Sequence, residues 1–289
     1  MKTDSLQRFL FENFPIRGGR VHLDASLRTI FENHDYPPVL RIIMGELCSA
    51  AVLLAATLKL EGSLVLQIQG RGAIRLLVVE CGGDLALRAT AKWEGELEGG
   101  SLPDLVGEGR FVITLDQKGG QAYQGIVALE GESVAEILQN YMIRSEQLET
   151  RLWLSSEGGS ASGLLLQKLP EGASADEDAW NRVTHLASTV SSEELMNLST
   201  EKLLHRLYHE EDLRLFDSEP VFFRCTCSRE KVAGMLRMLG KEEVESVIEE
   251  RQTVEVHCEF CNRRYEFDRV DAAQLFSPVV PAAASTRRH

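Results

Sequence analysis

The spacing of apolar residues changes several times along the chain and predicts a mixture of helices and strands. Apolar residues recur at helical intervals over residues 6–14, so the sequence predicts an N-terminal helix that Pro15 ends. The Ala- and Leu-rich segment 39–60 predicts a long buried helix, and segment 134–143 predicts a shorter one.

Other segments alternate apolar and polar residues, which is typical of β-strands. The predicted strands are 64–68, 74–80, 85–90, 111–115, 122–129, 151–154 and 163–169. Glycine turns connect the first three of these strands into a predicted meander and the fourth and fifth into a predicted hairpin. The sixth and seventh strands flank a Gly/Ser loop over 156–162. Helices and strands arranged in this way predict one α+β domain that ends near residue 170.

The glycine clusters in this domain do not form a recognisable phosphate-binding loop. Gly70-Arg71-Gly72 lacks the third glycine of a dinucleotide fingerprint and precedes a predicted strand rather than a helix. The sequence also contains neither a P-loop nor the nucleophile elbow of serine hydrolases. We therefore expect a protein that is not an enzyme.

The next region is predicted to be helical and only marginally stable. Residues 170–178 are acidic and turn-rich, which indicates a linker, and residues 179–212 then follow a helical pattern. Ser191 and Glu194 have the spacing of a capping box. The apolar patches of this region are short, so we expect them to pack on a neighbouring domain in order to remain folded.

The last segment, which begins at Val221, predicts a small unit of two helices and two strands. Ser228 can cap a helix that Gly240 ends, and a second short helix follows. The alternation of apolar and polar residues over 253–257 and 265–267 predicts the two strands.

The charge and hydropathy of the chain argue against two classes of partner. The 289 residues carry 31 Lys and Arg against 44 Asp and Glu, a formal net charge of −13. This charge disfavours binding to nucleic acid or to an anionic membrane surface. The longest apolar run, 47–58, is shorter than the roughly 20 residues of a membrane span, and the N-terminus lacks the apolar stretch of a secretion signal. We therefore expect a cytoplasmic protein.

Four of the six cysteines form two close pairs, which indicates a metal site. Cys225 and Cys227 are one pair, and Cys258 and Cys261 are the other. Such pairs in a cytosolic chain favour metal ligands or redox thiols over structural disulfides, and four thiolates suit tetrahedral Zn²⁺. Four uncoordinated thiols are the alternative. His257 could replace one sulfur, although four cysteines already complete a tetrahedral shell.

The remaining cysteines and a histidine pair have simpler interpretations. Cys48 and Cys81 lie alone in apolar surroundings, and we expect both to be small core residues. His205 and His209 are four residues apart, but the zincin motif requires a Glu where Arg206 stands. We interpret them as surface residues of a helix.

A single Zn²⁺ per chain would join the end of a strand, at Cys225 and Cys227, to a hairpin turn at Cys258 and Cys261. A unit of about 50 residues has a core too small to be stable alone. We expect metal binding to supply much of its folding free energy, on the order of 10 kcal/mol.

Several further segments, together with the cysteine pairs, carry a resemblance to a known family. They are LFENF at 10–14, ENHDYP at 32–37, YQG at 123–125, RSEQL at 144–148, RLYHEE at 206–211 and CTCSRE at 225–230. On these residues the chain resembles the redox-regulated heat-shock holdases, the thirty-three-kilodalton chaperonins of bacteria, from about residue 6 to residue 276.

The resemblance implies an ATP-independent chaperone that is inactive when reduced and zinc-bound and active when oxidised. It implies Cys225–Cys227 and Cys258–Cys261 disulfides, zinc release, unfolding of the C-terminal region and binding of unfolded client proteins. It also implies a homodimer formed by the N-terminal domain. The resulting division is 1–175 (core and dimerisation domain), 176–220 (metastable helical linker), 221–276 (Cys₄ zinc redox-switch domain) and 277–289 (a disordered tail).

The apolar residues of the predicted linker helices are the candidate client-binding groups. Helical spacing selects Leu195, Leu198, Leu203, Leu204, Leu207 and Tyr208. We expect them to become exposed when the helices open.

Two other classes of function remain as alternatives. A zinc ribbon can bind nucleic acid or a protein partner, but residues 221–270 hold nine Lys and Arg against ten Asp and Glu, so a basic face is missing. A salt-sensitive gel shift tests this class. A thiol oxidoreductase could use Cys258 and Cys261, but the pair lies between strand-like segments rather than at a helix start, and an insulin-reduction assay tests that class.

Overall fold

The structure, a computed structural model, describes residues 4–58, 61–117, 119–170, 176 and 178–276. The chain divides into two compact units, Met1–Arg224 and Cys225–His289. The fold class is α+β, as predicted. The division into a core, a linker and a switch domain stays a prediction, and the predicted tail at 277–289 lies outside the described residues, as does most of 171–177.

The strands and helices of the described residues follow in chain order. The strands are β1 (Ser5–Phe11), β2 (Ile16–Leu23), β3 (Ser63–Gly70), β4 (Ile74–Gly82), β5 (Ala86–Trp93), β6 (Gly109–Asp116), β7 (Tyr123–Val127), β8 (Thr150–Glu157), β9 (Ser160–Lys168), β10 (Leu213–Leu215), β11 (Glu219–Pro220), β12 (Phe222–Phe223), β13 (Val254–His257) and β14 (Arg264–Phe267). The helices are α1 (Ala25–Glu32), α2 (Pro38–Thr57), α3 (Leu102–Val106), α4 (Val134–Arg144), α5 (Ala179–Ala187), α6 (Ser192–Asn197), α7 (Thr200–Tyr208), α8 (Arg229–Leu239), α9 (Lys241–Arg251) and α10 (Arg269–Leu275).

The first sheet has the order β10-β1-β2-β9-β8, and β11 also pairs with β1. The predicted N-terminal helix is wrong, because residues 5–11 form strand β1. The strand is covered on both faces: Leu6 packs in the core of the unit, whereas Phe9 and Phe11 belong to a second cluster on the opposite face. A strand buried on both faces does not alternate in polarity, so its apolar spacing imitates that of a helix.

Strands β8 and β9 are longer than the sequence predicts. The predicted Gly/Ser loop at 156–162 shrinks to the turn at Gly158 and Gly159, whose φ angles of +59° and +86° suit glycine. The serines on either side continue the antiparallel ladder, with Ser155 opposite Ser162. Their polarity concealed the ends of both strands in the sequence.

The second sheet has the order β12-β5-β4-β3-β6-β7, which confirms the predicted meander and the predicted hairpin. Helix α2 packs against strands of both sheets and forms the centre of the unit. It is long and apolar enough to cross a membrane, but 72% of its most apolar 18-residue window is buried within the fold. This burial is that of a core helix.

Helices α5, α6 and α7 cover the outer face of the first sheet. The predicted capping box is confirmed: Ser191 Oγ accepts from the Glu194 N–H at 3.2 Å, and the Glu194 carboxylate accepts from the Ser191 N–H at 3.0 Å. The apolar stripe of α7 packs with Phe9, Phe11 and Leu164 in one cluster, as predicted. The helical region ends at Tyr208, four residues before the predicted end.

A buried arginine of the sheet holds the turn between α6 and α7. The Arg20 guanidinium donates to the carbonyl oxygens of Leu195 at 2.9 Å and Leu198 at 2.7 Å. It also reaches the Thr200 hydroxyl at 3.4 Å. Burial lowers the pKa of Arg20 to about 10. The side chain therefore anchors the helices through hydrogen bonds, at the expense of a desolvated charge.

The C-terminal unit contains α8, α9, the hairpin β13-β14 and α10. Ser228 Oγ accepts from the Lys231 N–H at 3.3 Å and caps α8, which Gly240 follows, as predicted. The core of the C-terminal unit is small. Its buried side chains are Ala233, Leu236, Val244, Ile248, Val254, Tyr265, Phe267 and Ala272. Such a core supplies little stability by itself.

Replacing Arg20 should loosen α6 and α7 while leaving both sheets folded. Arg20→Met keeps most of the aliphatic stem but leaves the Leu195 and Leu198 carbonyls without this donor, and an unpaired carbonyl costs about 1–3 kcal/mol where it is buried. We expect faster native-state hydrogen exchange over residues 192–208. Arg110→Met is the matched control, because Arg110 is exposed and donates to Gln69 on the other sheet. Equal protection of residues 192–208 in Arg20→Met and the wild type would contradict the assigned role.

Candidate metal centre

The four predicted cysteine ligands lie together in the C-terminal unit. The sulfurs of Cys225, Cys227, Cys258 and Cys261 all lie within 4.8 Å of one another. The Sγ–Sγ distance is 3.6 Å between Cys225 and Cys258 and 3.4 Å between Cys227 and Cys261. Within the described part of the chain, this is the cluster of His, Cys, Asp or Glu side chains that could hold a metal ion.

Two short backbone segments position the sulfurs. Cys225 and Cys227 lie in the irregular segment between β12 and α8, and the cap at Ser228 fixes where that segment ends. Cys258 and Cys261 lie in the turn between β13 and β14. In this turn the Cys258 N–H donates to the Arg263 carbonyl at 3.0 Å, and the Asn262 N–H donates to the Cys258 carbonyl at 2.8 Å.

The left-handed backbone of Asn262, with a φ of +52°, completes the hairpin turn. Asn tolerates this conformation better than most residues, which accounts for its place in the turn. The turn directs both cysteines of the pair toward the segment that carries the other two.

The donor set fits zinc. A tetrahedral Zn²⁺ with Zn–S bonds of about 2.3 Å holds its sulfurs about 3.8 Å apart. The observed distances of 3.4 and 3.6 Å are close to this separation. Four thiolates give the site a soft, anionic character that selects zinc over hard cations such as Mg²⁺. All four cysteines are half-buried, so a small oxidant can reach them.

The environment of the sulfurs differs from one cysteine to the next. Burial raises the pKa of Cys225 and of Cys261, although the backbone N–H groups of Cys227 and Arg263 favour the respective thiolates. Burial also acts to raise the pKa of Cys227, but the Tyr265 hydroxyl and neighbouring thiols outweigh it and lower that pKa to about 7. The Tyr265 hydroxyl donates to Cys227 Sγ at 3.1 Å, and this bond raises the pKa of the tyrosine.

Tyr265 is a member of the site that the sequence analysis missed. Its alternation with Phe267 predicted a core residue of a strand, and its ring is indeed buried. The signal that could have revealed its second role is its position four residues after Cys261, on the strand that leaves the knuckle. Sequence alone could not show that the hydroxyl reaches a sulfur from the other pair.

The histidines near the site do not complete its shell. His257 Nε2 lies 2.8 Å from a Glu255 oxygen, and Nδ1 lies 3.1 Å from Asn262 Oδ1. Both ring nitrogens therefore have partners other than a metal. His205 and His209 belong to the other unit, where His205 lies on α7 and His209 follows its last residue, with ring centroids 6.0 Å apart.

The predicted client-binding residues lie in the N-terminal unit, on α6 and α7 or directly after α6. Leu195, Leu203, Leu204, Leu207 and Tyr208 are buried, and Leu198 is half-buried against the same cluster. Tyr208 also donates to the Val183 carbonyl at 3.2 Å, which ties α7 to α5. Their burial agrees with the expectation that the resting protein hides them, and their role in client binding stays a prediction.

Cys48 and Cys81 are fully buried core residues, as predicted. Burial raises the pKa of both thiols, to about 12 for Cys81, so both stay protonated at neutral pH. A buried, protonated thiol reacts slowly with peroxides, because the thiolate is the nucleophile.

Comparisons with known proteins agree with the fold and with the cysteine cluster. A family model described as Hsp33 protein matches residues 4–268. The 33 kDa chaperonin of Methylobacillus flagellatus is 56% identical over 290 residues, which cover 99% of each chain. The 33 kDa chaperonin of Chromobacterium violaceum is 51% identical over 289 residues, which cover 99% of this chain and 98% of the relative.

A solved structure shows the same fold at lower sequence identity. The crystal structure of the 33 kDa chaperonin (heat shock protein 33 homolog) from Thermotoga maritima aligns with a TM-score of 0.81 at 20% identity, covering 94% of this chain and 97% of that one. Because the family model spans most of the chain and the relatives match it over nearly their whole length, the chain belongs to the Hsp33 family.

Proposed function

We propose that the protein is an ATP-independent, redox-regulated holdase that binds unfolding proteins and prevents their aggregation. The observation that carries this proposal is the cluster of four half-buried cysteines in a unit with a small core. The names of the relatives support a chaperone role. On this proposal the protein is not an enzyme, and its net charge of −13 favours protein clients over nucleic acid or anionic membranes.

In the reduced state, one Zn²⁺ per chain would be held by Cys225, Cys227, Cys258 and Cys261. The metal would offset part of the negative charge of the four thiolates and would tie together the two segments that carry them. Much of the folding free energy of this unit, on the order of 10 kcal/mol, would then come from the metal.

A peroxide would switch the protein by oxidising these thiolates. One sulfur donates an electron pair to a peroxide oxygen, the O–O bond breaks, and a sulfenic acid forms as hydroxide leaves. A second thiolate attacks that sulfur and expels a second hydroxide, which leaves a disulfide. The two sulfurs lose two electrons in total, and with two protons the peroxide becomes two molecules of water.

The disulfides proposed are Cys225–Cys227 and Cys258–Cys261, on the pattern of the family. The shortest sulfur contacts join Cys225 to Cys258 and Cys227 to Cys261 instead. In a tetrahedral cluster all sulfurs are near neighbours, so these contacts do not select a pairing. Pairing within each short segment requires little loop closure once the unit unfolds, which supports the proposed pattern.

Disulfide sulfurs are poor zinc ligands, so oxidation would release the metal and unfold the C-terminal unit. The three short strands β10, β11 and β12 lie in the chain between α7 and Cys225. They have three, two and two residues, and they pair with β1 and β5. We propose that loss of order beyond Arg224 loosens these strands and then the helices α5–α7.

Opening of α5–α7 would expose two apolar surfaces together. One is the stripe of α6 and α7 that contains the predicted client-binding residues. The other is the outer face of the first sheet, which carries Phe9, Phe11, Ile16, Leu164 and Leu166. A large apolar surface of this kind would bind unfolded chains through the hydrophobic effect.

Two further properties belong to the same proposal. The resemblance to the family supports a homodimer formed by the N-terminal unit and a location in the cytoplasm. A reducing cytoplasm keeps zinc thiolates reduced until an oxidant is present, which suits the proposed switch.

The zinc site makes the first prediction of this proposal. The reduced protein should bind one zinc per chain, and peroxide should release it, because oxidation converts the ligands to disulfide sulfurs. Cys258→Ser should weaken zinc binding strongly, whereas Cys48→Ala should bind zinc like the wild type. A chromogenic zinc indicator measures the release. Full retention of zinc by the wild type after complete thiol oxidation would contradict the switch.

The second prediction concerns helices α5–α7, which cover the outer face of the first sheet. Weakening this contact should increase chaperone activity in the reduced state. Leu207→Ser removes a buried apolar side chain from the cover, and truncations of buried leucines cost about 2–5 kcal/mol. The reduced variant should therefore suppress aggregation of an unfolded client more than reduced wild type does. Light scattering measures the effect, and Ile126→Ser, at a side chain that is 74% exposed, is the control.

A triple variant separates opening of the cover from client binding. In Leu203→Ser/Leu204→Ser/Leu207→Ser the helices should open, yet the apolar stripe is lost. The oxidised triple variant should then protect a client less well than the oxidised wild type. Undiminished protection would show that these leucines do not contact clients.

A further inference from the structure

The hydroxyl of Tyr265 is the side-chain group of the C-terminal core that reaches a sulfur of the metal centre. It donates to Cys227 Sγ at 3.1 Å, and the ring that carries it is buried, with 8% of the residue exposed. Strand β14 holds Tyr265 opposite Val256 in the ladder with β13. The hydroxyl is therefore aimed at the sulfur by the core of the unit, not by a mobile surface side chain.

Cys227 differs from two of the other ligands in its hydrogen-bond donor. Burial raises the pKa of Cys225 and Cys261, and the backbone N–H groups of the residues two positions later, Cys227 and Arg263, act to lower it. Backbone donors of this kind belong to the main chain and are present whatever the side chains are. Cys227 instead receives a side-chain hydroxyl from the opposite half of the site.

A hydrogen bond to a metal-bound thiolate changes the sulfur in two ways. It stabilises the negative charge that the sulfur carries as a ligand, and so strengthens metal binding. It also holds one lone pair, which makes the sulfur a weaker nucleophile toward a peroxide. Both effects keep the metal in place and slow the oxidation step described above.

We propose that Tyr265 is a positioning residue of the metal centre, whose hydroxyl stabilises the Cys227 thiolate and raises the oxidant exposure needed to release the metal. The inference rests on the proposed zinc-thiolate switch. It adds that Tyr265 sets how readily a peroxide releases the metal, and that it does so through the Cys227 sulfur.

The test compares full-length wild type with Tyr265→Phe, which removes only the hydroxyl and keeps the ring in the core. The reduced chains are loaded with Zn²⁺ for chelator competition and with Co²⁺ for absorption spectra. We expect Tyr265→Phe to lower zinc affinity by about 10- to 100-fold, the usual loss for an outer-shell partner. Peroxide should release zinc severalfold faster from the variant.

The cobalt spectrum reports on the sulfur and not on general stability. Without the hydrogen bond, the thiolate lone pair is higher in energy, so the sulfur-to-cobalt charge-transfer band should move to longer wavelength. Tyr141→Phe is the matched control, because it removes a hydrogen-bonded hydroxyl from the N-terminal unit, where Tyr141 donates to Glu146. The control should leave the band, the affinity and the release rate at the wild-type values.

A second variant should shift the charge-transfer band and the rate of zinc release in the opposite direction. Replacement of Tyr265 by 3-fluorotyrosine gives a more acidic phenol and a stronger donor in nearly the same volume. We expect a charge-transfer band at shorter wavelength and slower zinc release. A merely structural role of the ring would not produce opposite shifts in the two variants.

The outcomes separate this inference from the proposed function. If wild-type protein keeps its zinc under peroxide, the switch fails, while the cobalt band and the zinc affinity still test the role of Tyr265. If wild-type protein releases zinc but both variants match it in band position and affinity, the switch stands and the role of Tyr265 is wrong.

Discussion

The burial of the outer face of the first sheet under α5–α7 is the contact on which the resting fold and the proposed activity both depend. The three helices have nine, six and nine residues, and helices of this length are marginal in water without tertiary contacts. The sheet face, with Phe9 and Leu166, cannot remain exposed without forming a large apolar patch. Each surface therefore needs the other, and loss of the contact exposes both at once.

The two units obtain their stability from different sources. The N-terminal unit surrounds helix α2 with strands of two sheets and forms an extensive apolar core. The C-terminal unit has a small core and four sulfurs within 4.8 Å of one another. An oxidant acts on thiolates and not on apolar contacts. On the proposed function, a redox signal would act on the second unit while the core of the first keeps its fold, and the marginal helices α5–α7 would respond.

Sequence patterns predict the parts of this protein in which residues close together in the chain determine the local structure. The paired cysteines predict the cluster that could hold a metal ion, and the alternation of apolar and polar residues predicts the meander. The prediction for the N-terminal strand was wrong because Leu6 and Phe9, on opposite faces, are both buried, so apolar and polar residues do not alternate there. The ends of β8 and β9 were not predicted because polar serines continue the antiparallel ladder there. Tyr265 was missed because its contact with Cys227 joins residues 38 positions apart, which only tertiary structure brings together.

The fold places the six cysteines in two environments that differ in their reactivity toward oxidants. Cys48 and Cys81 are fully buried, and burial raises the pKa of both thiols. Their sulfurs are neither charged nor accessible, so a peroxide finds no nucleophile in the core. The clustered cysteines are half-buried, and coordination to a metal would keep them as thiolates. Exposure and charge would thus coincide at the clustered cysteines, and a peroxide would react there rather than at Cys48 or Cys81.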